Sequence, residues 1–186
     1  MRRIVAVPVG VGLTLMAFAV ASTTPSDDAL QAPFPVTGRI GEAIASQHHV
    51  ATVHDALLAR EVTLDSWDGT TSGVWLVLDA TLAARVERST VAVDLFVDGV
   101  RYPGTSRVGN DTLDGRVADA GFPLVGAVLL ELPAGILEVP GARSATLRIS
   151  SDGDTRLDSV VELGLDLTSL EVRDHVDLER PRADTR

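Results

Sequence analysis

The sequence predicts an all-β protein, an antiparallel β-sandwich of about seven strands preceded by one N-terminal hydrophobic helix. Apolar residues alternate with other residues over long stretches, which is the period of a strand with one buried face. Gly, Pro and Asp-Gly end these stretches at short spacing, as in sandwiches. An uncharged stretch near the N-terminus has the composition of a membrane helix.

Residues 1–21 are predicted to be a signal anchor or a signal peptide. Arg2 and Arg3 precede residues 4–21, which carry no charge and would form a helix of about 27 Å, slightly shorter than a hydrocarbon core. The two arginines favour a cytoplasmic N-terminus and place the rest of the chain outside the cell. Either the segment remains as a single-pass anchor, or cleavage near Ala21 secretes the protein. The length of the apolar stretch favours the anchor.

Residues 22–38 are predicted to form a linker, because three prolines and a Ser/Thr/Asp cluster interrupt them without periodicity. The next segment, residues 40–64, is ambiguous between helix and strand. We expect a strand pair, Ile44 to Val53 and Ala59 to Leu64. Strands that follow need partners, and no helix-capping residue stands at either end.

The clearest strands lie between residues 74 and 102. One face of the first carries Val74, Leu76, Leu78, Ala80 and Leu82, and one face of the second carries Val91, Val93, Leu95 and Val97. Asp98-Gly99 supplies the positive φ angles of a tight hairpin, after which Val100 to Tyr102 returns. We expect the opposite faces to meet solvent, with Asp79 and Asp94 in water.

Further strands are expected at Leu124 to Leu132, at 145–150 and at 157–167, with a turn at Asp152-Gly153. The predicted sandwich therefore occupies residues 39–167. Residues 168–186 form a charged C-terminal tail with nine charged residues. This tail either adds an edge strand, where a partner could dock by strand addition, or remains a solvated arm.

Composition excludes several functions. The net charge of −10 repels phosphate backbones, so no nucleic-acid partner is expected. Cysteine is absent, which removes disulfides, thiol nucleophiles and a lipid-accepting cysteine. The stretch at 69–73, GTTSG, lacks the spacing of a hydrolase nucleophile elbow. We therefore expect a protein that is not an enzyme and has no catalytic residues.

Two groups of side chains invite a metal hypothesis. His48, His49 and His54 are spaced so that they do not converge on a strand or a helix. A second group consists of acids in two turn segments, Asp111, Asp114, Asp152, Asp154 and Asp158. It lacks the twelve-residue calcium-loop pattern and its terminal glutamate. We expect no metal and no cofactor.

Four stretches together resemble a known family: IGEAI at 40–44, GVWLVLDATL at 73–82, VDLFVDGVRYP at 93–103 and LLELP at 129–133. Over residues 39–150 the chain resembles the bacterial extracytoplasmic immunoglobulin-like domains that are grouped as a domain of unknown function. Members of that family follow a lipoprotein signal or a membrane anchor. The resemblance implies an immunoglobulin-like sandwich and an envelope-facing interaction module without established chemistry.

The sequence thus predicts a non-enzymatic accessory or interaction module. It would be bound to the cytoplasmic membrane through residues 4–21 and have a protein partner in the cell envelope. A secreted ligand- or metal-binding sandwich and an unrecognised envelope hydrolase are the alternatives.

Overall fold

A computed structural model describes residues 11, 13–19, 30–65, 67–151 and 153–184, apart from the side chain of Asn110. The chain divides into two units, Met1–Ala32 and Pro33–Arg186. In the first unit, residues 11 and 13–19 are helical. The remainder of the predicted hydrophobic helix, including the cleavage position at Ala21, lies outside the described residues. No helix among the described residues is both long enough and apolar enough to span a bilayer.

The second unit is a β-sandwich. Its strands in chain order are β1 (Phe34–Gly38), β2 (Ile44–Ala45), β3 (His49–Leu64), β4 (Trp67–Ala84), β5 (Ser89–Thr90), β6 (Ala92–Val97), β7 (Val100–Pro103), β8 (Val117–Ala118), β9 (Leu124–Leu132), β10 (Ala145–Ser150), β11 (Ser159–Leu165), β12 (Val172–Leu178) and β13 (Arg182–Ala183). Short 3-10 helices lie at Ser106–Asp111, Ile136–Glu138, Pro140–Ser144 and Leu167–Ser169.

Two sheets form the layers. Sheet A has the order β1-β11-β10-β6-β7, and sheet B has the order β12-β3-β4-β9-β13 with β2 beside β3. Neighbouring strands are antiparallel except for two pairs, β1 with β11 and β12 with β3. Strands β5 and β8 form a separate small ladder.

The main core lies between the two sheets, where the alternation of the sequence predicts it. It includes the predicted inward faces of β4 and β6, with Leu76, Leu78 and Leu82 from one sheet and Val93 and Leu95 from the other. The hairpin at Asp98-Gly99 is also confirmed. Both residues have positive φ, 49° and 78°, as the short turn between two twisted strands requires.

The segment 40–64 forms strands rather than a helix, as expected, namely β2 and β3, but the predicted break between Val53 and Ala59 is wrong. Strand β3 runs without interruption from His49, and the chain turns earlier, at 46–48. The Ser46 hydroxyl accepts a hydrogen bond from the His49 N–H at 3.2 Å and stabilises that turn. The polar residues in the middle of β3 are accommodated by a bulge between Val53 and Asp55.

Both predicted domain boundaries of the sandwich need correction. Residues 34–38, assigned to the linker, form β1 and pair in parallel with β11. Of the two alternatives for the charged tail, the edge strand is confirmed, because residues 172–178 and 182–183 form β12 and β13 at the two edges of sheet B and extend the sandwich beyond residue 167. Such pairings join segments that are distant in sequence, so local periodicity does not reveal them.

The expectation that Asp94 faces water is wrong. Its side chain is 3 % exposed, and its carboxylate accepts a 2.8 Å hydrogen bond from Nε of Arg101 on the neighbouring strand. Asp79 is exposed, as predicted. A second correction concerns the face of sheet B that carries Asp79, because Trp75 and Val77 on that face are buried in a second hydrophobic cluster.

The second cluster exists because the β3–β4 hairpin bends. Between the paired positions Ala59–Trp75 and Glu61–Thr70, β3 has one residue and β4 has four. The indole N–H of Trp75 donates to the carbonyl of Gly69 at 3.1 Å. In a straight strand, residues six positions apart would be about 20 Å apart. The end of the hairpin therefore folds over the outer face of sheet B and covers it.

Gly73 lies at this bend and has no room for a side chain. A Cβ at Gly73 would lie 1.9 Å from the Leu132 carbonyl oxygen and 2.9 Å from the Ala134 nitrogen. We expect Gly73→Ala to lower the free energy of unfolding by about 1–3 kcal/mol, because backbone atoms must shift. Urea denaturation of the two proteins measures this difference.

Gly164→Ala on β11 is the matched control. No atom lies within 4 Å of a Cβ at Gly164, so this variant is expected to unfold like the parent. Equal losses for the two variants would show that the bend does not depend on Gly73.

Candidate ligand-binding groove

A concave surface of the sandwich lies on the outer face of sheet B, between that face and the C-terminal segment. We call it the outer groove; it has a volume of about 710 Å³. Its floor comes from β3, β4 and β9, and its wall comes from residues 173–184. Floor positions with side chains on this face are His54, Asp55, Val77, Asp79, Thr81, Val125 and Ala127.

The concavity of the groove follows from the short connection between β12 and β13, the two edge strands of sheet B. Residues 179–181 join β12 to β13, so the ends of these two strands lie within about 14 Å of each other. Four strand spacings in a flat sheet would alone separate the two edges by about 19 Å. Sheet B must therefore curl around its outer face, in agreement with the bend of the β3–β4 hairpin.

Several contacts hold the C-terminal segment, residues 172–184, in place as a strap over the groove. Val176 and Leu178 pack against the second hydrophobic cluster. Asp177 accepts hydrogen bonds from the Thr63 hydroxyl and from His175 (3.0 Å), and these two bonds lower the pKa of its carboxyl group. At the end of the strap, the Asp184 N–H donates to the carbonyl of Pro123 at 2.8 Å.

Arg180 connects the middle of the strap to two other loops. Its Nε lies 2.5 Å from a carboxylate oxygen of Asp65 in the β3–β4 turn. The same atom lies 3.4 Å from a carboxylate oxygen of Asp111 in a 3-10 helix. One guanidinium thus links three segments that are far apart in sequence.

The floor of the groove has an apolar strip beside a pair of acids. Val77, Val125 and Ala127 form the strip. Asp55 and Asp79 are directly opposite each other in the β3–β4 ladder, where side chains lie about 5 Å apart at Cβ. Within the described part of the chain, neither carboxylate forms an ion pair. Two like charges in this position favour a cationic group between them.

Cationic side chains of the strap are engaged with acids of the strap itself or of neighbouring loops. Arg173 forms a bidentate pair with Glu171, with nitrogen–oxygen distances of 3.0 and 2.9 Å. Those hydrogen bonds raise the pKa of Arg173, and the charge of Asp55 across the groove adds a smaller effect. Arg182 pairs with Glu179 at 2.5 Å. The acids of the floor are consequently left to face the groove.

The three histidines weighed as metal ligands are not brought together. His48 lies 3.2 Å from Asp158 at one end of the sandwich, and His54 lies in the groove with Nε2 2.7 Å from the Thr81 hydroxyl. His49 is buried among core residues, and within the described part of the chain neither ring nitrogen forms a hydrogen bond of normal geometry, although a backbone group of Thr90 is near the ring. Burial, and secondarily the charge of His48, lowers the pKa of His49.

The acids weighed as calcium ligands are likewise separated. Asp114 accepts from the Val93 N–H at 2.8 Å, and burial raises the pKa of its carboxyl group. Asp154 pairs with Arg156, and Asp158 with His48; Asp152 lies outside the described residues. No group of three or more potential metal ligands converges in the portion of the chain that the structure describes.

Sequence reasoning did not identify the groove, because its residues come from five strands in widely separated segments. One signal pointed toward it. The predicted solvent face of β4 begins with Trp75 and Val77, which are large apolar residues that solvent-facing positions seldom carry. The charged tail also carries apolar residues, Val176 and Leu178. In the structure they pack onto the same cluster as Trp75 and Val77.

These features define a two-sheet β-sandwich with a strap-covered groove. No family model matches the chain, and no curated protein matches it. Solved structures with some likeness include an uncharacterised β-sandwich protein from Clostridium difficile, with a TM-score of 0.47 and 13 % identity, covering 76 % of this chain and 99 % of that one. The yjhA protein from Bacillus subtilis gives 0.45 and 16 %, covering 67 % and 98 %. A candidate lipoprotein from Staphylococcus aureus gives 0.36 and 9 %, covering 74 % and 96 %.

Removing the Arg180 side chain should loosen the strap. We expect Arg180→Ala to accelerate amide hydrogen exchange in residues 172–184, while the free energy of global unfolding changes by less than about 1 kcal/mol because the lost ion pairs are exposed. Exchange followed by mass spectrometry measures this. Arg88→Ala, which removes an exposed pair with Asp119, is the control. Unchanged exchange in the strap of Arg180→Ala would contradict the role of Arg180.

His49 should make the fold sensitive to mild acid. Because its pKa is lowered in the folded state, the unfolded chain binds a proton first as pH falls below the ordinary value of 6.5. The contribution of His49 to stability is therefore present above pH 6.5 and lost as pH falls toward the lowered pKa. We expect His49→Leu to remove this part of the pH dependence. Urea unfolding across this pH range tests it, and parallel curves for the two proteins would contradict it.

Proposed function

We propose that the protein is a non-enzymatic binding module of the cell envelope, and that its outer groove binds an extended, positively charged segment of a protein partner. The observation that carries this proposal is the Asp55–Asp79 pair on the apolar floor of the groove. The two carboxylates face a cavity of about 710 Å³ without an ion-pair partner among the described residues.

The groove suits a peptide in extended conformation. Its floor consists of pleated strands, and the apolar residues Val77, Val125 and Ala127 lie beside the acid pair. An extended segment presents alternate side chains to one surface, so it can place an apolar residue on the strip and a basic residue between the carboxylates. A bound arginine would form charge-assisted hydrogen bonds there.

We also propose an immunoglobulin-like topology and membership of the extracytoplasmic family that the sequence resembles. The strand order supports this. The antiparallel order β3-β4-β9 corresponds to strands A, B and E of one immunoglobulin sheet, and β6, β10 and β11 correspond to C, F and G of the other. The strap after β11 is an addition to that arrangement. Without cysteine, the inter-sheet disulfide of antibody domains is not made.

Attachment to the cytoplasmic membrane through residues 4–21, with the sandwich outside the cell, is part of the same proposal. The uncharged stretch and the preceding Arg2 and Arg3 support it. The second candidate, an envelope hydrolase, is favoured by one contact, the 2.7 Å distance between Nε2 of His54 and the Thr81 hydroxyl. Among the described contacts, no carboxylate hydrogen-bonds to the other nitrogen of His54, which a catalytic triad would require.

A short blocked peptide that alternates valine with arginine tests the groove, and the same peptide with glutamate in place of arginine is its control. We expect only the arginine peptide to bind, with chemical shift changes at groove residues in nuclear magnetic resonance spectra. Asp79→Asn should weaken that binding roughly tenfold, because one charge-assisted hydrogen bond is lost.

Glu87→Gln removes a charge remote from the groove and should bind like the parent. Equal binding of the two peptides, or unchanged affinity in Asp79→Asn, would overturn the proposed role of the acid pair. Hydrolysis of the arginine peptide that Thr81→Ala abolishes would support the hydrolase instead.

A further inference from the structure

The geometry points to a second interaction surface, at the end of the sandwich where the chain enters β1, that lies against the lipid surface of the membrane. Four exposed apolar side chains form it: Phe34, Val86, Phe122 and Leu157. We call this set the apical patch. The inference rests on the proposed function in one respect, since attachment through residues 4–21 would bring this end of the sandwich to the bilayer.

The exposure of these side chains is high for large apolar residues. Phe34 is 62 % exposed, Val86 79 %, Phe122 69 % and Leu157 58 %. They belong to four different segments: the start of β1, the loop after β4, the turn before β9 and the turn before β11. Exposed apolar residues grouped in this way mark a surface that contacts another apolar phase.

Contacts between the loops place the patch at one end of the sandwich. Asp158, next to Leu157, makes two of these contacts. Its carbonyl accepts a hydrogen bond from the Phe34 N–H at 2.8 Å, and its carboxylate lies 3.2 Å from Nε2 of His48. The backbone carbonyl of His48 in turn accepts a hydrogen bond from the N–H of Arg85, the neighbour of Val86, at 2.8 Å.

Phe122, the fourth residue of the apical patch, is linked to the others through the loop that carries Val86. Arg88, two residues after Val86, lies 3.2 Å from Asp119, and Asp119 pairs with Phe122 across a tight turn. All four apolar residues are thus linked through neighbouring loops within the second unit.

Leu157 adds an independent observation. Its φ angle is 56°, in the left-handed region that a residue with a bulky side chain rarely adopts. More than half of Leu157 is exposed (58 %), so burial in its own fold offsets only part of this strain. Strain of this kind is retained where the exposed side chain has a function.

Charge explains why the contact would be apolar rather than electrostatic. The net charge of −10 opposes approach to an anionic bilayer. Around the patch, acidic and basic side chains are mixed: Arg88 pairs with Asp119 and Arg156 with Asp154, while Glu87 beside Val86 forms no ion pair among the described residues. The rim therefore carries basic as well as acidic side chains, which can stay in the headgroup layer while the apolar side chains enter the boundary of the acyl region.

The course of the chain identifies lipid as the occupant. Phe34 is the first residue of β1, and only residues 22–33 separate this unit from the uncharged stretch 4–21. Twelve residues span at most about 40 Å. A bilayer that holds residues 4–21 is consequently always within reach of the patch, and this raises the effective concentration of a weak apolar contact.

Single cysteines labelled with an environment-sensitive dye test the inference on the full chain, since the protein has no cysteine of its own. The variants are Val86→Cys and Leu157→Cys in the patch, Val100→Cys at the hairpin between β6 and β7, and Leu15→Cys in the apolar stretch. Each is mixed with vesicles of phosphatidylethanolamine and phosphatidylglycerol, with and without lipids that carry a quencher on the acyl chain.

We expect a blue shift and quenching by the lipid at positions 86 and 157, and neither at position 100. Phe122→Glu, combined with Val86→Cys, should lose the quenching without changing the melting temperature, because Phe122 is exposed in the folded protein. Retention of full quenching in Phe122→Glu would overturn the role of the patch.

The remaining outcomes separate the two proposals. Quenching at position 15 with water-exposed labels at 86 and 157 would overturn the lipid contact and leave the membrane attachment intact. Quenching at 86 and 157 with a water-exposed label at 15 would support the patch and overturn the attachment. Water-exposed labels at all three positions would overturn both. A blue shift at 86 and 157 without lipid quenching would show that protein covers the patch, and would overturn the inference.

Discussion

The feature on which the outer half of this molecule depends is the bend in the β3–β4 hairpin. Four residues of β4 oppose one residue of β3, and the hydrogen bond from Trp75 to Gly69 closes the bend. A straight hairpin would leave Trp75 and Val77 in solvent on the outer face of sheet B. Since the hairpin folds back, these side chains form a second hydrophobic cluster, and the outer face of the sheet becomes concave.

The charged C-terminal segment forms a wall of the groove on the outer face that the bend makes concave. Strand β12 pairs with the edge of β3, and β13 pairs with Leu124 and Val125 of β9, so the charged segment itself forms the two edges of sheet B. Free edges are the sites at which sheets associate without specificity, and charged side chains on a covering strand oppose this. The same segment supplies one wall of the outer groove. Coverage of the strand edges and formation of the groove wall are therefore two consequences of one chain path.

The features of the fold that could be predicted from the sequence are those that depend on local periodicity. The alternation in β4 and β6 gives their inward faces, and Asp98-Gly99 gives the hairpin. Pairing between distant segments is not encoded locally, so the sequence predicts a linker where β1 lies and does not decide between an edge strand and a solvated arm where β12 lies. Alternation alone predicts that Asp94 faces water, because its burial depends on Arg101, which lies on the next strand. The groove could not be predicted for the same reason. Its two acids, Asp55 and Asp79, become neighbours only through the pairing register of β3 with β4.

The two proposed surfaces constrain each other. Thr81 and Val125, at one end of the groove, are within three residues of Ala84 and Phe122, which lie at the end of the sandwich that carries the apical patch. Three strand residues span about 10 Å. If the patch rests on the bilayer, a ligand in the groove lies close to the membrane surface. A partner would then have to present its basic extended segment just outside the membrane. Cytoplasmic loops carry most basic residues of membrane proteins, so few outward-facing segments would satisfy this requirement, and the position of the groove would add to the selectivity that its acids provide.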